Sequence, residues 1–104
     1  MINITPLKEN NELRGFEIFG HAGFGNFGND IVCAAVSVLT INCINSLNQI
    51  AMQFVESNED DGYVRFECSG VLKDRAKTLL LSTLLGYESI AEQYKDYVTI
   101  ATSQ

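Results

Sequence analysis

Two hydrophobic periods alternate along this chain, and together they predict seven elements. Ile2 to Leu7 and Leu13 to Gly20 read as extended segments around the polar turn Glu9-Asn10-Asn11-Glu12, which predicts a hairpin. From Asn29 or Asp30 the period changes. Val32, Val36, Leu39, Cys43, Leu47 and Ile50 recur at spacings of three and four, the mark of a helix with a buried stripe. The first half of that helix is apolar almost all round, which predicts a central position. A second hairpin follows, with arms Gln53 to Ser57 and Tyr63 to Cys68 around Asn58-Glu59-Asp60-Asp61-Gly62. In its second arm Val64, Phe66 and Cys68 alternate with Tyr63, Arg65 and Glu67, the period of a strand. A second helix spans about Lys73 to Tyr94, with Ala76, Leu80, Thr83, Leu84, Tyr87, Ala91 and Tyr94 on one broad face. Tyr97 to Thr102 reads as a last, β-branched strand. The order ββαββαβ predicts an α+β fold: a mixed, largely antiparallel sheet with two helices.

Composition narrows this further. With 104 residues, 46% of them hydrophobic, the chain suits one domain over residues 1–104 with a core that needs no disulfide. The cysteines, Cys33, Cys43 and Cys68, are odd in number and widely spaced. The start MINITPLKEN carries no apolar run of signal length. Both features suggest reduced thiols and a cytoplasmic protein. Ser37, Thr40, Asn42 and Asn45 interrupt the longest apolar stretch, so no membrane span is expected. The net charge of −6 disfavours direct contact with nucleic acid and favours encounter with a basic partner.

The candidate chemistry is concentrated in GHAGFGNFGNDIVCAAVS, residues 20–37, which holds the single histidine, His21, and Cys33. Gly20, Gly23, Gly25 and Gly28 make the connection between them a loop expected to be mobile. If Asp30 caps the helix, Cys33 stands at its third position, where free amides and the helix dipole favour a thiolate. A histidine folded back onto that thiol favours the thiolate further and can protonate a leaving amine. Asp30 suits two roles, orienting the histidine or capping the helix. Ser37, one turn on, suits a place in the same pocket or simple packing. A helical cysteine among Ile, Val and Ala also suits a core, and Cys43 and Cys68 read only that way.

The run Gly23 to Gly28 also has the form G-x-G-x-x-G. The strand before it belongs to a hairpin, no Lys or Arg is near, and the acidic residue expected about 20 positions on is missing. No C-x-x-C pair suggests a metal and no G-x-S-x-G elbow a serine nucleophile, so neither metal nor cofactor is expected.

The pattern G-H-A-x(2)-G-x(2)-G-x-D-[IV]-V-C-A-x(2)-S resembles the signature of the ribosomal-processing cysteine proteases of Firmicutes and related bacteria. The later INCINSL and the element order agree with it. That family removes a short N-terminal extension from a large-subunit ribosomal protein whose N-terminal arm reaches towards the peptidyl-transferase centre. The resemblance implies Cys33 as nucleophile and His21 as general base and acid, with Asp30 and Ser37 matching the family's aspartate and serine. It implies a mobile glycine-rich loop and homodimers. Two other functions compete for the same residues. One is a nucleotide- or phosphate-binding module using the Gly23–Gly28 loop. The other is a non-catalytic binding protein in ribosome assembly.

Overall fold

The structure, a computed structural model, describes residues 1–20 and 27–101, with the backbone alone at 27–30. Its elements are β1 (Ile2–Glu9), β2 (Glu12–Phe19), α1 (Phe27–Gln49), β3 (Val55–Asp60), β4 (Tyr63–Cys68), α2 (Asp74–Gln93) and β5 (Val98–Ile100). The strands form one five-stranded sheet in the order β3-β4-β2-β1-β5. Only β1 and β5 pair in parallel; the other neighbours are antiparallel. The expected ββαββαβ order and mixed α+β sheet are therefore what the chain adopts.

Both hairpins close more tightly than the polar runs suggest. Asn10 and Asn11 turn the first, at φ +52° and +67°, a left-handed pair that asparagine tolerates well. The second turn is Asp61-Gly62 alone rather than Asn58 to Gly62, because β3 continues to Asp60. Every residue from Glu56 to Asp60 is exposed. An edge strand is held by its backbone pairing with one neighbour and needs no apolar side chains, so polarity alone misplaced its end. Gln53, expected in the strand, is buried in the connection before it. Its amide nitrogen donates to the carbonyls of Ser69 and Val71, and its side-chain oxygen accepts from the Lys73 N–H.

One face of the sheet carries the core. Registers across the strands align Val64, Ile18, Ile4 and Ile100 in one row and Phe66 and Phe16 in the next. Against these pack Val32, Val36, Cys43 and Leu47 from α1 and Ala76, Leu80 and Tyr87 from α2. The α1 stripe is close to that expected, but Thr40 is buried where Leu39 is only half-buried and Ile50 is exposed. The helix is not central. Ile31, Val38 and Ile41 are 50%, 65% and 58% exposed, because α1 meets the sheet on one side only. Contrary to expectation, Ser37, Thr40, Asn42 and Asn45 do not break the longest apolar stretch. Residues Ile31–Gln49 make a 19-residue stretch of mean hydropathy 1.6, long and apolar enough to cross a membrane. Its buried stripe, Val32, Val36, Thr40, Cys43 and Leu47, lies on the sheet, and the rest of that stretch is half-buried or exposed. The last strand is shorter than expected, although Ala101 still donates its N–H to the Ile4 carbonyl at 2.8 Å.

Candidate active site

The site begins where β2 leaves the sheet. Gly20 has φ +103° and donates its N–H to the Gly62 carbonyl at 2.8 Å. A Cβ there would stand 2.3 Å from the Met1 carbonyl oxygen, so only glycine fits. The exit of the chain from the sheet is therefore fixed at the residue before His21. His21 itself, Gly23 and Gly25 lie outside the described residues, as does the part of the expected mobile segment from Ala22 to Asn26.

Helix α1 starts at Phe27, two to three residues earlier than the capping residues suggest. Gly28 is thus a helix residue rather than part of the loop. Asp30 is the fourth residue of the helix, not its cap, and Cys33 is the seventh rather than the third. Asp30 is a strong capping residue, but weaker helix formers can occupy the first turn once tertiary packing supports the rest. The consequence is chemical. Six residues at about 1.5 Å each put Phe27 roughly 9 Å along the axis from Cys33, so the thiol stands beyond the first turn that carries the free amides.

Cys33 is the half-buried cysteine of the three, packed on the edge of the core. It lines a cavity of about 220 Å³ together with Ser37, one turn further along α1. The floor is Ile2, Ile18, Val36 and Val64, and Gly20, Asp60, Gly62 and Tyr63 complete it. So the end of β2, the Asp61-Gly62 turn and one face of α1 converge on Cys33 and Ser37. Cys43 and Cys68 are 1% and 2% exposed. Burial pushes the Cys43 thiol up, opposed by a hydrogen bond with Thr83. Burial also pushes Cys68 up to about 11, against the nearby Arg14 charge. Both stay protonated and shielded at neutral pH, as core thiols should.

Two lining residues, Asp60 and Tyr63, had no signal in the linear pattern. The register does: Tyr63 pairs with both Phe19 and Asp60, which brings the second hairpin's turn beside Gly20. Tyr63 donates its hydroxyl to Glu17 Oε2 at 2.8 Å, a bond that raises the phenol's pKa. Its ring meets Phe19 edge-on at 6.4 Å. Asp60 accepts the N–H of Asp61 at 2.8 Å, so its carboxylate braces the turn. Among the described residues no His, Cys, Asp and Glu side chains cluster in a way that would hold a metal ion.

Residues 1–99 match the model of a family described as cysteine protease Prp. The chain belongs to that family. It is a cysteine protease. Among its relatives, the ribosomal processing cysteine protease Prp of Bacillus subtilis (strain 168) is 29% identical over 110 residues, covering 99% of this chain and 98% of that protein. The protein of the same description from Staphylococcus aureus (strain Mu50 / ATCC 700699) is 28% identical over 83 residues, 78% of each chain. Among solved structures, SMU.848 from Streptococcus mutans is 33% identical, with a TM-score of 0.78 over 96% of this chain and 91% of that one. An essential ribosomal processing protease Prp from S. aureus, in complex with a covalently linked product peptide, has a TM-score of 0.87 at 24% identity. The match covers 99% of this chain and 100% of that one, and at that identity it is a likeness of fold.

Proposed function

We propose that this protease removes the N-terminal extension of a basic large-subunit ribosomal protein, with Cys33 as nucleophile and His21 as general base and acid. The observation that carries the assignment is the position of Cys33. It is half-buried and faces a cavity, while Cys43 and Cys68 are sealed in the core. His21 takes the thiol proton as Cys33 Sγ bonds to the scissile carbonyl carbon. As the tetrahedral intermediate collapses the C–N bond breaks, and His21 returns that proton to the leaving amine. Water then hydrolyses the thioester, regenerating the thiol and leaving a carboxylate. Ser37 shares the cavity with Cys33 and shapes it; Asp30 stands three positions before the nucleophile in the same helix. The net charge of −6 supports a basic substrate, through faster encounter and complementary potential.

Two further parts of this reading have their own support. Three free cysteines suit a reducing compartment, which favours the cytoplasm. An apolar groove lined by Ile31, Ala34, Ala35, Val38, Gly86 and Ile90 lies where α1 and α2 meet the surface. It supports a homodimer in which a second copy covers these residues. The nucleotide-binding alternative has no comparable support. β2 is an arm of an antiparallel hairpin, and Phe27 and Gly28, the end of the glycine motif, are already helical.

The deciding experiment is incubation of the protein with the full-length ribosomal protein, read by mass spectrometry. A single N-terminal truncation, lost in Cys33→Ala and His21→Ala, is the expected result. Peptide binding without cleavage by fully reduced protein would instead favour a non-catalytic binder.

A further inference from the structure

The row Val64, Ile18, Ile4, Ile100 is apolar across four strands, but its fifth member is not. At edge strand β3 the register places Glu59 opposite Val64, so a carboxylate ends the row on the face that α1 covers. Glu59 lines a second cavity of about 220 Å³, bounded by Ile41 and Ile44 of α1 and by Val64. This cavity shares Ile18, Val36, Ser37 and Val64 with the one that holds Cys33, so the two are compartments of one groove running along α1.

Asp60, the other described carboxylate that lines the groove, accepts from the backbone of Asp61, and Glu17, on the far face of the sheet, accepts from Tyr63. On the rest of the sheet Glu67 lies 3.7 Å from Arg65, Glu9 3.9 Å from Arg14 and Glu12 3.3 Å from Lys77. Glu59 makes no ion pair and no side-chain hydrogen bond with any described residue. An apolar trough ending in an unengaged carboxylate is complementary to one kind of side chain: a long methylene stem with a cation at its tip.

We propose that Glu59 is a specificity-determining residue that receives a lysine or arginine of the substrate, its stem lying against Ile41, Ile44 and Val64. This rests on the protease reading of Cys33. The groove also sets the position of that residue. From Cys33 to Ile41 is eight helical residues, about 12 Å at 1.5 Å each. An extended peptide advances about 3.3 Å per residue, so the cation belongs about four residues from the bond that is cut.

The test uses a peptide spanning the cleaved bond and the protein as wild type, Glu59→Gln, Glu59→Lys and, as a control, Glu56→Gln. Glu56 is on the same strand but opposite Glu67, on the other face of the sheet. Each Lys and Arg of the peptide is replaced in turn by Gln. In wild type, one replacement about four residues from the cut should raise KM about two- to fivefold, the size expected for an ion pair at an exposed carboxylate. Glu59→Gln should show the same rise with the unchanged peptide and none further with that replacement. Glu59→Lys should prefer a peptide with Glu at that position, and Glu56→Gln should discriminate like wild type. The same pairs, read as peptide affinities in Cys33→Ala protein, give the answer without turnover. If Glu59→Gln discriminates between the peptides as wild type does in both readouts, or if an apolar replacement binds as well as lysine, the assignment is wrong. A wild type that binds the peptides with this charge preference but cleaves none would overturn the protease reading and leave the Glu59 contact standing.

Discussion

Thr40 Oγ1 and Tyr87 OH lie 2.6 Å apart in the buried seam between α1 and α2. Thr40 also donates to the Val36 carbonyl at 2.8 Å, which uses its one proton, so Tyr87 is the donor to Thr40. The Tyr87 ring meets Phe16 edge-on at 4.9 Å, so this one residue joins α2 both to the sheet and to the helix that carries Cys33. Thr40→Val strands the Tyr87 hydroxyl in an apolar site and should cost about 1–3 kcal/mol. Tyr87→Phe leaves Thr40 bonded to Val36 and should cost about 1 kcal/mol. The double variant should be less destabilised than the sum of the two, as urea denaturation of all four proteins would reveal. Additive costs would mean that the pair is not coupled.

Reactivity should separate the three thiols. Brief iodoacetamide treatment of native protein, followed by peptide mapping, should label Cys33 before Cys43 or Cys68, because only Cys33 reaches a cavity. Faster labelling of either core cysteine would contradict the assignment. Cys33→Ala should abolish cleavage while leaving the melting transition nearly unchanged.

Gly20 should tolerate no side chain. Gly20→Ala must place a Cβ 2.3 Å from the Met1 carbonyl at φ +103°, and should cost about 1–3 kcal/mol. It also displaces the residue before His21, so kcat should fall by more than the loss of folded protein explains. Activity measured per folded molecule by titrating reactive Cys33 would separate the two effects.

Alkaline pH should destabilise the fold. Burial holds the Cys68 thiol up at about 11 in the folded chain, against roughly 8.5 when unfolded. Below the unfolded value both states carry the proton and stability does not change. From there to about 11 the unfolded state releases the proton and the folded state keeps it, so stability falls as pH rises. Cys43 and Tyr87, both also raised by burial, act in the same direction. Urea midpoints under reducing conditions should fall from pH 8 to 10.5, and Cys68→Ala should flatten the slope. A midpoint constant over that range would place Cys68 outside the core.

Much of this protein is determined locally and is therefore legible in the chain. Seven elements in order, the two helical stripes and the alternation in β4 follow from periods of 3.6 and 2, which depend on neighbours in sequence. The motif around His21 and Cys33 is similarly local, and it is enough to name the family. Boundaries fared worse wherever pairing overruled composition. β3 runs on through Glu59 and Asp60 because β4 supplies hydrogen bonds that do not depend on side-chain polarity. α1 starts at Phe27, ahead of Asp30, so Cys33 loses its place at the helix end.

The walls of the site are the part that only tertiary structure decided. Gly20, Gly62, Tyr63 and Asp60 line the cavity with Cys33 because β2 pairs with β4 in one register, and a shift of one residue would turn each side chain of β4 to the face opposite its present one. Glu59 reads in the chain as one more charge in an acidic turn. It becomes the end of an apolar row only because β3 pairs with β4 and α1 lies across that face. Local patterning specifies which elements form; strand register, set by contacts far apart in sequence, specifies which side chains share a cavity.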